Sequence, residues 1–89
     1  MNTRHFVIAI VIALMVPSAA NAYSCNQLWH ARNSIYKNAG YCFQTQRGIR
    51  AFGNAGCQYD NQADVPLSDH DRNTIDALKA MERQQGCSD

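Results

Sequence analysis

Four cysteines, an arginine set among aromatic rings and an Asp-His-Asp triplet are the residues of this chain that could do chemistry. Cys25, Cys42, Cys57 and Cys87 stand 17, 15 and 30 positions apart. Zinc sites usually show close pairs such as C-x-x-C, so this spacing points away from a metal. An even number of cysteines in a short exported chain reads instead as two disulfides. Asp69-His70-Asp71 resembles part of a metal or acid–base site, but it falls on the first turn of an expected helix. There its carboxylates already complement the positive end of the helix dipole. His30 and His70 are the two histidines beyond residue 22. A catalytic histidine needs a convergent nucleophile or further ligands. The sequence offers no nucleophile elbow, no H-E-x-x-H and, once both bridges form, no free thiol. Gly53-Asn54-Ala55-Gly56 lacks the Lys and Ser/Thr that complete a phosphate loop. The expectation is a protein that is not an enzyme, with no catalytic residues, no metal and no cofactor.

Arg32 offers binding chemistry rather than catalysis. It shares a helical row with Trp29 and Tyr36, so its stem is expected to pack against rings. One reading presents its guanidinium to a carboxylate ligand such as a peptide C-terminus. The preferred reading pairs it with Glu82 or an aspartate, or with loop carbonyls, and so fixes how helices meet. Trp29, Tyr36, Tyr41, Phe43 and Phe52 could line a groove for a glycan or peptide. In a small domain such rings are first of all core, each burying about 150–250 Å². Tyr23 and Tyr59 are expected to be exposed. Arg32, Tyr36, Tyr41 and Tyr59 are thus the candidate binding or structural residues.

The elements that must position these groups begin after a leader. Arg4 is followed by an unbroken apolar run from Phe6 to Val16, then Pro17 and a small-residue stretch ending Ala20-Asn21-Ala22. A basic start, a short apolar stretch and an A-x-A site make residues 1–22 a secretory signal peptide. A membrane anchor is the poorer reading, because eleven helical residues rise only about 16 Å, half a bilayer core. Acylation of Cys25 is also disfavoured, since Tyr23 fits a lipobox badly and three cysteines would be left over. Residues 23–89 then form one domain of 67 residues, with no membrane span after cleavage and an exported location, periplasmic or extracellular. It carries seven basic and seven acidic side chains. Without a basic block it lacks the long-range attraction that drives nucleic-acid binding.

Within the domain the spacing predicts a helix over 25–39. Cys25, Leu28, Ile35 and Ala39 lie along one row, with Ser24 as cap and Gly40 as stop. Thr45 caps a short helix to Phe52 that brings Ile49 and Phe52 to one face, weakened at Gly48 by about 1 kcal/mol relative to alanine. Gly53–Gly56 reads as a turn into Cys57, and Gln58 to Asp64 as polar loop. Ser68 caps a last helix, with Asp71 where a full capping box would have Glu or Gln. Ile75, Leu78 and Met81, with Ala77 beside them, are placed on its inner side; Lys79, Glu82 and Arg83 fall near the polar boundary, and Gly86 ends the helix. The fold class is mainly all-α: a small disulfide-stapled domain of about three helices with an irregular Gly-rich loop. A helix from Cys25 to Ala39 exceeds about 20 Å in length, which keeps Cys25 from Cys42. Antiparallel packing of the first and last helices favours Cys25–Cys87 with Cys42–Cys57, and Cys25–Cys57 with Cys42–Cys87 is the runner-up. Chain entropy gives about 4 kcal/mol for the long loop and about 3 for the short one. Both are large fractions of the stability of so small a domain.

The run Leu28-x3-Arg32-Asn33-x-Ile35-Tyr36-x3-Gly40-Tyr41-x-Phe43 resembles the YARHG domain, a small bacterial extracytoplasmic module. Leu67-Ser68-x2-Asp71-x-Asn73-x-Ile75-x6-Glu82 is similar to that domain's closing helix, and Phe52 and Tyr59 sit where the family carries aromatics. The likeness covers nearly all of Cys25 to Glu82. The eponymous segment is here Tyr36-Lys37-Asn38-Ala39-Gly40, in which the tyrosine and glycine match but the Ala-Arg-His centre does not. Nothing resting on that Arg-His pair carries over. The four cysteines mark a disulfide-bearing subgroup. The resemblance implies a fold and an envelope location, sometimes beside peptidase-like domains, and brings no biochemical activity with it. The expected function is a non-catalytic binding module of the cell envelope. Its partner would be an envelope protein or cell-wall polymer, met through the Gly53–Asp64 loop and the flanking rings. The alternative is an inhibitor or effector of an envelope peptidase or cell-wall hydrolase, for which a stapled loop is suited. A small hydrolase or metal-dependent enzyme ranks last.

Overall fold

The computed structural model describes residues 23–88; the signal peptide expected over 1–22 lies outside them. Among the described residues the chain forms three α-helices and no extended strand: α1 (Cys25–Asn38), α2 (Gln46–Phe52) and α3 (Asp69–Gln84). One turn of 3-10 helix, Gln62–Asp64, lies where the sequence suggests plain polar loop.

Local chemistry sets every helix boundary. Ser24 is extended, accepts the Gln27 backbone N–H at 3.1 Å and donates its own N–H to Gln27 Oε1 at 2.9 Å. This reciprocal pair is a full capping box that satisfies two otherwise orphaned groups. Thr45 and Ser68 cap α2 and α3 by accepting from Gly48 and Asp71 backbone N–H groups. α1 and α3 end alike. Gly40 donates to Lys37 O and Tyr41 to Tyr36 O; Gly86 donates to Arg83 O and Cys87 to Glu82 O. This is the Schellman closure, which needs a left-handed residue just past the helix, and the two glycines supply it at φ 97° and 71°.

α1 and α3 pack antiparallel. Cys25, at the start of α1, is bonded to Cys87, just beyond the end of α3. Arg32 meets Glu82 midway, and Tyr36 and Ile75 share the core at the far end. The inward face of α1 carries Leu28, Trp29, Arg32, Asn33 and Tyr36. Ile35 and Ala39 of the expected row are only half-buried, and Cys25 is exposed. The inner face of α3 also differs from the expected one. Ile75 and Glu82 are buried, Leu78 is half-buried, Ala77 is exposed and Met81 is 40% exposed. Seven residues are nearly two turns, so Glu82 lies in line with Ile75 and takes the inward position opposite Arg32. Met81 is turned away by the same geometry.

The core comprises Tyr36, Tyr41, Phe43, Val65 and Ile75, with Phe52, Tyr59 and Leu67 packed around it. Val65, 2% exposed, joins it from an irregular segment that carries no periodic signal. Its rings form a chain through the domain: Tyr36–Tyr41 at 5.7 Å, Tyr41–Phe43 at 5.0 Å, Phe43–Phe52 at 5.1 Å and Phe52–Trp29 at 6.0 Å between centroids. These separations fall in the range where aromatic pairs add to plain burial.

Candidate functional site

The segment Tyr41–Thr45 links α1 to α2 and is held from both sides. On one side, Cys42 N–H donates to Tyr59 O at 2.7 Å, while Gln58 and Tyr59 N–H groups both reach Gly40 O. This short parallel bridge pairs Tyr41 with Tyr59, and the Cys42–Cys57 disulfide closes beside it. On the other side, the Asn54 side chain pairs with Phe43 as a strand would. Its Oδ1 accepts the Phe43 N–H at 2.7 Å and its Nδ2 donates to Phe43 O at 3.0 Å. Lys37 of α1 donates to Gly53 O at the end of α2. A backbone too short for regular structure thereby has both polar groups of Cys42 and of Phe43 met.

An open groove of about 290 Å³ lies where α1, this segment and the start of α2 meet. Trp29, Tyr41 and Phe43 contribute its apolar lining; Gln44, Thr45, Arg47 and Gln62 contribute polar groups, and Arg32 and Asn33 of α1 reach its edge. Arg47, from α2, holds its guanidinium carbon 3.9 Å from the centre of the Trp29 ring and donates from Nη2 to Asn26 Oδ1 at 2.9 Å. Asn26 and Trp29 belong to α1, so two α1 residues fix an exposed cation carried by α2.

Arg32 has a different environment. Its Nε and Nη2 donate to Glu82 Oε2 and Oε1 at 2.7 and 2.9 Å, and the two residues are 8% and 7% exposed. This two-pronged pair is the strongest geometry a guanidinium and a carboxylate can adopt. Of the readings of Arg32, the helix-to-helix pair is the one seen in the structure.

The remaining residues singled out from the sequence are scattered. Tyr36 is buried on the α3 side of α1, Tyr41 reaches both core and groove, and Tyr23 is exposed. Tyr59 is half-buried rather than exposed. Its ring lies against Gly40, where an added Cβ would sit 3.3 Å from Cδ2, and its backbone is engaged in the bridge to Tyr41. Of the Gly53–Asp64 loop only Gln62 lines the groove. The His30 ring is tilted against Phe52 at 4.7 Å between centroids, and His70 lies in the first turn of α3. Among the described residues no three of His, Cys, Asp and Glu converge to hold a metal ion, and no helix is long and apolar enough to cross a membrane. Sequence reasoning passed over Arg47, Asn26 and Gln44. Residues 26 and 29 meet residue 47 only through the α1–α2 packing, and no spacing rule reaches that far.

A family model described as the YARHG domain matches residues 6–83. No curated protein and no solved structure matches the chain.

Proposed function

The chain belongs to the YARHG domain family, an extracytoplasmic family, and on that premise we propose that it is a non-catalytic binding module of the bacterial cell envelope. Its ligand enters the groove between α1 and α2. The partner is an envelope protein or a cell-wall polymer, met in the periplasm or outside the cell.

One observation carries this reading. An aromatic-lined groove opens to solvent next to Arg47, a cation fixed in place by Trp29 and Asn26. Binding sites characteristically combine an apolar concavity with a few oriented polar groups. Two disulfides support an oxidising compartment, and Cys42–Cys57 holds the groove wall in one shape before any ligand arrives.

The test is capture of envelope material by the exported, oxidised protein. Purified sacculi and detergent-solubilised envelope proteins are offered in separate arms. Enrichment in one arm, reduced by substitutions at the groove, is expected. Failure to enrich in either arm would overturn the reading.

A further inference from the structure

The groove has two arginines at its edge, and they are not equivalent. Arg32 is buried and its charge is answered by Glu82 through two hydrogen bonds. Arg47 is exposed, and among the described residues it forms no ion pair. A guanidinium stacked on a ring uses its face, whereas its hydrogen bonds leave from its edge in the same plane. Trp29 therefore orients Arg47 without consuming its donors, and Asn26 takes only one N–H. What remains is a set of coplanar donors with the fork geometry that fits a carboxylate.

The neighbours supply the rest of a recognition site. Gln44 directs its amide nitrogen inward, to Cys42 O at 3.0 Å and Asp60 O at 3.4 Å, so its Oε1 remains as an acceptor. Thr45 Oγ1 accepts the Gly48 N–H, and its own hydroxyl proton remains to donate. Trp29, Tyr41 and Phe43 form an apolar wall. At about 290 Å³ the groove lies at the small end of ligand pockets, suited to the last residue or two of a chain rather than to a long polymer segment.

We infer that Arg47 reads the free C-terminal carboxylate of a peptide whose last side chain is small and apolar and enters the groove against Trp29, Tyr41 and Phe43. The peptide N–H groups meet Gln44 Oε1, and the carboxylate takes the outward edge of Arg47. This rests on the proposed binding role and names the chemistry of its ligand.

Trp29 is the only tryptophan of the chain, so its fluorescence reports the groove directly. The full exported protein, disulfides intact, is titrated with N-acetyl-alanyl-alanine bearing a free carboxylate and, separately, with the same peptide as its C-terminal amide. The carboxylate should change the emission saturably, with a Kd on the order of 1 mM for so small a ligand. The amide should bind about tenfold more weakly, the loss expected for a charge-assisted fork. Arg47→Gln should bring the carboxylate down to about the level of the amide, and Arg47→Lys should fall between. The two peptides titrating alike on the native protein, or no saturable change with either, overturns the assignment without recourse to any variant. A preference for the carboxylate that survives Arg47→Gln moves the carboxylate away from Arg47 and overturns it equally. Continued capture of envelope material by a protein indifferent to the carboxylate leaves the binding role standing and removes only its ligand chemistry; absence of capture removes both.

Discussion

Along the α1–α3 seam, charge and cystine join two helices: Arg32 grips Glu82 with both donors out of solvent, and Cys25–Cys87 clamps the helix ends. Across α1, on the side of α2, Arg47 lies at the surface with its guanidinium carbon 3.9 Å from the centre of the Trp29 ring and donors to spare, and Cys42–Cys57 anchors an irregular segment that walls a groove. Arg32 shares the inward face of α1 with Trp29 and Tyr36, Arg47 lies over Trp29, and their surroundings separate them. A guanidinium opposite a buried carboxylate fixes the angle between helices; one supported by a ring and a neutral amide keeps its charge for something else.

The largest effect should come from breaking the seam. Glu82→Leu leaves Arg32 buried without its carboxylate, and urea denaturation should show a loss of about 3–5 kcal/mol. The double substitution Arg32→Met with Glu82→Leu should recover most of that loss, since a well-packed apolar pair can replace a buried ion pair. A Glu82→Leu protein with native stability would erase the distinction between the two sides. Replacing Cys25 and Cys87 by serine should lower stability by about 4 kcal/mol, and replacing Cys42 and Cys57 by about 3, on the chain-entropy account. The second pair sharpens the comparison more. Losing Cys42–Cys57 should disturb the Trp29 environment and the groove, whereas losing Cys25–Cys87 should loosen the helix ends with Trp29 emission in the folded protein little changed.

A smaller effect sets propensity against packing. Gly48→Ala should favour the helix by about 1 kcal/mol on propensity alone. An added Cβ, however, would meet Phe43 Cδ1 at 2.7 Å and its Cβ at 3.0 Å. Phe43 is a core ring wedged between Tyr41 and Phe52, so it has little room to yield. Overpacking of this kind costs about 1–3 kcal/mol, and thermal unfolding should show net destabilisation. A stabilised Gly48→Ala protein would mean that the groove wall is softer than it looks. The least effect on stability belongs to Arg47→Gln, expected within about 0.5 kcal/mol of the native protein because the side chain is exposed. A large loss there would place Arg47 with Arg32 among the residues that hold the fold.

Much of the fold was legible because its signals are local. Ser24, Thr45 and Ser68 begin helices where a side-chain oxygen can take an orphaned N–H, and Gly40 and Gly86 end them where a left-handed residue is needed. Helix length bears on the cystine pairing through the same local geometry, and the pairing seen, Cys25–Cys87 with Cys42–Cys57, is the one that antiparallel end helices favour. The inner face of α3 was misjudged at Met81 and Glu82 because hydrophobicity was followed where charge complementarity ruled. Arg32 and Glu82 read as a pair by charge, yet hydrophobicity puts Glu82 near the polar boundary. Val65 gives no sign of its burial and Tyr59 reads as exposed, because residues in irregular segments carry no period.

The order of elements, the caps and the stops were decided by residues within a few positions of one another, where backbone sterics and short hydrogen bonds leave little choice. Which arginine is buried and which stays available was decided by the tertiary structure alone. That choice depends on what α2 and α3 each bring against α1 from distant parts of the chain, and a charge takes its role from the groups that surround it in space.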